Sequence, residues 1–93
     1  MINTQFYFEL YCEEANRSYM LEKYVNMPYK IPVGETVQVS DVEGTEMPMI
    51  VEKVYFDLSG NHFVAGLDTV RIKPEEEKDI LAFYEADGWE IFG

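Results

Sequence analysis

Histidine and cysteine occur once each, as His62 and Cys12. Structural zinc takes about four nitrogen or sulfur ligands, so one chain of this composition cannot build such a site, and it cannot close an internal disulfide either. A Cys–His nucleophile pair would need a reactive Cys12. Alternation places that thiol on an apolar face with Phe8 and Leu10, where it is expected to be inert. Gly34, Gly44, Gly60 and Gly66 stand singly and no Gly-Lys-Ser/Thr occurs, so there is no phosphate-cradling loop. Neither a metal nor a cofactor is expected, and no constellation of nucleophile, base and orienter suggests an enzyme.

Long apolar runs are also missing, since nothing approaches the ~18 residues of a membrane span. The start MINTQFYFELY has no positively charged leader ahead of a long apolar stretch, so no secretion signal is expected. The sequon Asn16-Arg17-Ser18 is then idle, and a cytoplasmic setting is expected.

Basic residues are the scarcest charged class, 7 against 18 acidic, which leaves a formal net charge of −11. Small soluble domains need a magnitude of only about 2–8. Direct binding to nucleic acid or to an anionic membrane requires a basic patch and is disfavoured, whereas a basic protein surface is the partner that such a charge suits. The loop Asp41-Val42-Glu43-Gly44-Thr45-Glu46 gathers carboxylates near a glycine. It does not follow the twelve-residue EF-hand pattern and reads as a solvated loop rather than a cation site.

What the chain has in quantity is apolar and aromatic residues, 47% and 15%, enough for one folded domain over residues 1–93. The stretch from Met47 to Ile72 holds two β-type runs around a Ser59-Gly60-Asn61 turn and predicts a central hairpin. Parity of the apolar positions switches in both arms. In the first arm Met49 and Val51 give way to Val54, Phe56 and Leu58 across Glu52-Lys53, which predicts that one inserted residue puts all five on one face. In the second, Phe63, Ala65 and Leu67 give way to Val70 and Ile72 across Gly66 to Thr69.

Phe6, Phe8, Leu10 and Cys12 alternate with Tyr7, Glu9 and Tyr11, which predicts a half-buried strand from Gln5 to Cys12. Residues Tyr19 to Met27 are expected to return as its hairpin partner. Pro28 and Pro32 predict a connection, and Glu35 to Ser40 a short strand. Pro74 followed by Glu75-Glu76-Glu77 predicts a helix start, apolar Ile80, Leu81, Phe83 and Tyr84 its buried stripe, and Asp87-Gly88 its stop. Trp89, Ile91 and Phe92 should then fold back as a short strand or docked segment. The expected class is α+β, with a strongly bent antiparallel β-sheet of four to five strands, an SH3-like partial barrel, and one C-terminal helix. A flatter sheet covered on one face by the helix is the alternative.

Closing the first hairpin symmetrically over Glu13 to Ser18 would oppose Cys12 to Tyr19, Tyr7 to Tyr24, Glu9 to Glu22 and Tyr11 to Met20. Like charges directly across a strand pair are unfavourable, by roughly 0.2–1 kcal/mol, so folding alone gives no reason for them. Tyr7, Glu9, Tyr11, Glu22 and Tyr24 therefore form the candidate partner-binding face, an acidic and aromatic surface for a basic protein. The expected function is that of a small acidic, non-enzymatic binding protein. Small phage or mobile-element inhibitors of nucleases share this size and acidity, and a run of carboxylates can imitate the charge density of nucleic acid. That likeness is one of composition and no motif carries it. A nucleic-acid-binding protein is then one form of basic partner. The alternative is a structural or adaptor domain whose charge serves solubility.

Overall fold

The computed structural model of the chain describes residues 1–38 and 48–92. Strand β1 (Ile2–Cys12) turns into β2 (Arg17–Met27); β3 (Thr36–Gln38), β4 (Pro48–Asp57), β5 (His62–Leu67) and β6 (Val70–Ile72) follow. A 3-10 turn (Pro74–Glu76) leads into helix α1 (Glu77–Ala86), and β7 (Glu90–Ile91) ends the order. The class is α+β with one C-terminal helix. Two parts of the expectation are corrected. Among the described residues the sheet has seven strands, ordered β3-β4-β5-β1-β2-β7 with β6 also on β1. It is also mixed rather than antiparallel, because β5 and β6 lie parallel to β1. Alternation reports which face a residue takes and says nothing of which distant strand lies alongside, or in which direction.

Both predicted irregularities are present. In β4, Val51 faces Leu67 and Lys53 faces Gly66, so Glu52 is the inserted residue. Along β1, two residues separate Tyr7 from Leu10, while three separate their partners Gly66 and Val70. That extra residue resets the parity and returns Ile72 to the core. The insertion sets Val51, Val54 and Phe56 on one face as expected, opposite Leu67, Ala65 and Phe63, while Leu58 lies past the end of β4. Met49 and Val51 are buried, Val54 is half-buried, and Phe56 and Leu58 are exposed where the hairpin runs beyond the core. The sheet curls without closing into a barrel: Val37 and Gln38 of β3 line the same cavity of about 130 Å³ as Phe6 of β1, Val25 and Met27 of β2, and Trp89. Val39 and Ser40 of the expected third strand, and the acidic loop from Asp41, lie outside the described residues.

The core sits inside the curl. Thr4, Phe6, Phe8, Leu10 and Cys12 point inward from β1, joined by Leu21, Ile31, Met49, Val51, Ala65 and Leu67. Phe8 stacks edge-on with Tyr84 at 5.1 Å and Trp89 at 4.9 Å, and the two partners contact each other at 6.2 Å. The predicted helix stop works through Gly88, whose φ of 95° only glycine adopts without strain. Its N–H donates to the Glu85 carbonyl and that of Trp89 to the Tyr84 carbonyl, a Schellman closure that turns Trp89 back onto Tyr84. Phe92 N–H then donates to the Met20 carbonyl and β7 pairs with β2, so the expected return of the C-terminus is present. No described helix is long and apolar enough to cross a membrane.

The front of the helix is held by charge. Glu77 accepts hydrogen bonds from Arg17 (Nε at 3.1 Å, Nη2 at 2.5 Å) and from the Tyr19 hydroxyl, and the Cys12 thiol lies at 3.8 Å. The bonds from Arg17, then those from Tyr19, lower the Glu77 carboxyl from 4.5 to about 2. Burial raises the Cys12 thiol further out of the reactive range, with Glu77 adding to it. Glu76 instead turns back to accept from the Lys73 N–H at 3.0 Å, satisfying a free donor at the helix entry.

Two outcomes follow from this packing. Trp89→Ala should lower unfolding stability by about 3–5 kcal/mol, read from urea midpoints, because the Phe8–Tyr84 face loses its lid. The contribution of Glu77 belongs to its charged form, bound more tightly in the folded chain than in the unfolded one. It is therefore complete above pH 4.5 and lost as pH falls toward about 2. Urea midpoints followed from pH 6 down to about 2 should fall less steeply for Glu77→Gln than for the wild type.

Candidate functional site

Because β1 is paired along both edges, its side chains alternate between the core and an outer face. Tyr7, Glu9 and Tyr11 take the outer face, as do Glu22 and Tyr24 from β2, so the five residues expected to act together do share one surface. Their expected pairing is corrected. Tyr7 opposes Glu22, Gln5 opposes Tyr24, Glu9 opposes Met20, Tyr11 opposes Ser18 and Cys12 opposes Arg17. The loop is four residues, Glu13 to Asn16, rather than six. Glu14 and Asn16 adopt φ of 34° and 50°, Asn16 N–H donates to the Glu13 carbonyl, and the Asn16 side chain accepts from the Tyr11 hydroxyl at 3.0 Å. Asparagine tolerates the left-handed backbone, so the turn closes early. A slip of two residues is an even number and leaves every side chain on its original face.

Glu9 and Glu22 are thus diagonal rather than opposed. The like-charge opposition is Glu22 against Glu90 of β7, a contact that requires the C-terminal return and is invisible in the first hairpin alone. Gln5 relieves it: its amide Nε2 donates to Glu22 Oε2 at 2.5 Å, and its Oε1 lies 2.9 Å from His62 Nε2. A carboxylate only accepts, so the amide nitrogen must face Glu22. Oε1 is then left to accept from His62 Nε2–H, which assigns the tautomer. The His62 ring is buried beneath the edge of Tyr24, 5.4 Å between centroids. Burial, then the charges of Glu22, Asp57 and Glu90, raises the Tyr24 hydroxyl, so this residue presents a neutral phenol. His62 and Cys12 lie on opposite faces of the sheet and cannot meet as a catalytic pair.

Gly66 explains the posture of Tyr7. A methyl group built there would stand 2.7 Å from the Tyr7 hydroxyl and 2.9 Å from its Cζ, so the tip of the phenol occupies the space a side chain would take, beside Lys53. Lys53 sits 6.0 Å from the Tyr7 centroid and 5.9 Å from that of Tyr55, and its ammonium is held above its ordinary pKa chiefly by the Tyr7 hydroxyl. At the other end Arg71 lies over Tyr11 at 5.6 Å and within 3.9 Å of Glu13.

Two adjoining depressions, each of about 320 Å³, run along this face and share Glu9 and Thr69 as common walls. The first includes Tyr7, Met20 and Lys53, the second Tyr11, Asn16 and Arg71. Glu9 stands where they join. It is half-buried, and among the described residues no cation or hydrogen-bond donor engages its carboxylate. No group of three His, Cys, Asp or Glu side chains among the described residues could hold a metal ion. The arrangement is a carboxylate with aromatic flanks, bounded by one cation at each end.

Sequence reasoning missed Gln5, although it lies on β1 with the parity of Tyr7, and it missed Lys53, His62 and Arg71, whose strands reach this face only through the fold. A lone glycine in a strand pattern does signal close approach, and Gly66 was a usable hint of the Tyr7 contact. No protein-family model, curated protein or solved structure matches the chain.

The Gly66–Tyr7 contact can be isolated by a double-mutant cycle. Gly66→Ala should destabilise the wild type by about 1–3 kcal/mol in chemical denaturation through overpacking, and substantially less in a Tyr7→Ala background where the methyl has room.

Proposed function

We propose that the protein is a non-enzymatic binding protein whose outer sheet face, built on Tyr7, Glu9, Tyr11, Glu22 and Tyr24, engages a basic protein surface. One observation carries this reading: the half-buried Glu9 carboxylate at the junction of two depressions, which no cation or donor engages among the described residues. A carboxylate partly withdrawn from water gains most from a cation that completes its pairing, and tyrosines on either side add contact area with polar ends. The net charge of −11 favours the approach of a basic partner over a distance set by salt.

Lys53 and Arg71 refine the partner's chemistry. They interrupt the negative charge along the groove, which suits a surface of alternating sign more than a copy of the continuous phosphate charge of nucleic acid. Mimicry of nucleic acid, and inhibition of a nuclease or host-defence protein by it, therefore rest on composition alone. The open curl of the sheet suits a partial-barrel description, and the cytoplasm remains the proposed setting.

The test is affinity capture from native host lysate, with wild type and a Glu9→Lys, Glu22→Lys double variant as baits. The variant should keep the wild-type near-ultraviolet circular dichroism and lose basic proteins that the wild type retains at low ionic strength. The wild type should release the same proteins at about 1 M salt, where screening acts within about 3 Å. Equal capture by the folded variant removes this face as the site.

A further inference from the structure

Among the described residues, strand β4 has one open edge over part of its length. Its inner edge pairs with β5 from Val51 to Asp57, while its outer edge is used by β3 only from Pro48 to Ile50. Val51 adds the last contacts on that side, with Gly34 and Glu35. From Glu52 to Asp57, no described residue takes up the outward backbone groups. Two large aromatics stand exposed along this edge, Tyr55 at 49% and Phe56 at 43%, between the charged Lys53 and Asp57. Such an edge is a template for another strand.

We infer that its occupant is a second copy of the same edge, paired antiparallel about a two-fold axis through Tyr55. Backbone groups of a strand point alternately to its two edges, so only registers that oppose odd to odd and even to even positions can form a ladder. With Tyr55 opposite its counterpart, Lys53 of each copy faces Asp57 of the other, and Val54 faces Phe56. This gives two opposite-charge pairs and two aromatic–β-branched pairs, the combinations that stabilise facing strands. Sliding the register two residues either way loses both charge pairs: Lys53 then faces Tyr55 or Ser59. Lysine on an edge strand normally discourages pairing, and here Asp57 answers it in one register alone. The inserted residue at Glu52 and the turn after Asp57 bound the usable edge, so the contact closes as a dimer instead of extending as a fibre.

Facing residues of an antiparallel pair point to the same side, so Lys53, Tyr55 and Asp57 continue the outer face across the axis. The two depressions around Glu9 are thereby repeated on one continuous surface. Two chains of net charge −11 repel at long range, so association should strengthen with salt, opposite in sign to the binding of a basic partner.

Sedimentation velocity tests the pairing. The wild type should pass from the 10.9 kDa chain to twice that mass over the micromolar range, at lower concentration in higher salt. Lys53→Asp and Asp57→Lys should each weaken the dimer at least tenfold, and the two together should restore it by exchanging the charges. Tyr55→Cys should form an intermolecular disulfide under mild oxidation, a measurement that does not depend on Asp57, whose carboxylate also accepts from the Ser59 N–H at 3.1 Å and hydroxyl at 2.8 Å in the turn. A wild type that stays at 10.9 kDa, a double variant as weak as the singles, assemblies beyond two chains, or no cross-link at position 55 would each overturn the inference.

Discussion

The structure depends on β1 being hydrogen-bonded along both edges, to β2 on one side and to β5 and then β6 on the other. A central strand has no freedom to slip or tilt without breaking two ladders, so its alternation becomes the division between inside and outside for the whole sheet. Phe6, Phe8, Leu10 and Cys12 become core, and Tyr7, Glu9 and Tyr11 become surface. The inserted residue between β5 and β6 keeps this division consistent over eleven residues of β1.

Helix and C-terminus are fastened to β1 and β2 by unlike interactions at the two ends of the helix. At the N-terminal end, Glu77 joins Arg17 and Tyr19 of β2 beside Cys12. At the C-terminal end, Gly88 lets the chain reverse so that Trp89 and Tyr84 close over Phe8. Fully burying a large apolar side chain is worth roughly 1.5–3 kcal/mol, so the aromatic end supplies most of the cohesion. The ionic end fixes orientation and weakens in acid. The reversal also lays β7 on β2, which sets Glu90 against Glu22 and makes the candidate face more acidic than its two longest strands would be.

That face is organised by small accommodations. Gly66 gives Tyr7 a place to lie, Gln5 uses both ends of its amide to bridge His62 and Glu22, and Lys53 and Arg71 flank the aromatic rings at either end. Each settles a local conflict of charge or volume. Glu9, half-buried where the depressions join, is left with its carboxylate unengaged by the described residues.

Local pattern determined a good deal. Period-two alternation located β1 and β2 and assigned the faces of their residues, since that assignment needs only the pleat. The parity switches at Glu52 and before Val70 marked both insertions, and Pro74, the acidic triplet and Gly88 bounded the helix, because caps and bulges act within a few residues. The register of the first hairpin was not legible, since a turn at Asn16 and a longer loop satisfy the same alternation. Nor was the parallel placement of β5 and β6 beside β1, which together with the pairing of β4 on β5 brings Lys53, His62, Gly66 and Arg71 to the outer face of β1. Contacts between distant strands are chosen by the burial and hydrogen bonding of the whole sheet at once, and no short window of sequence contains that competition.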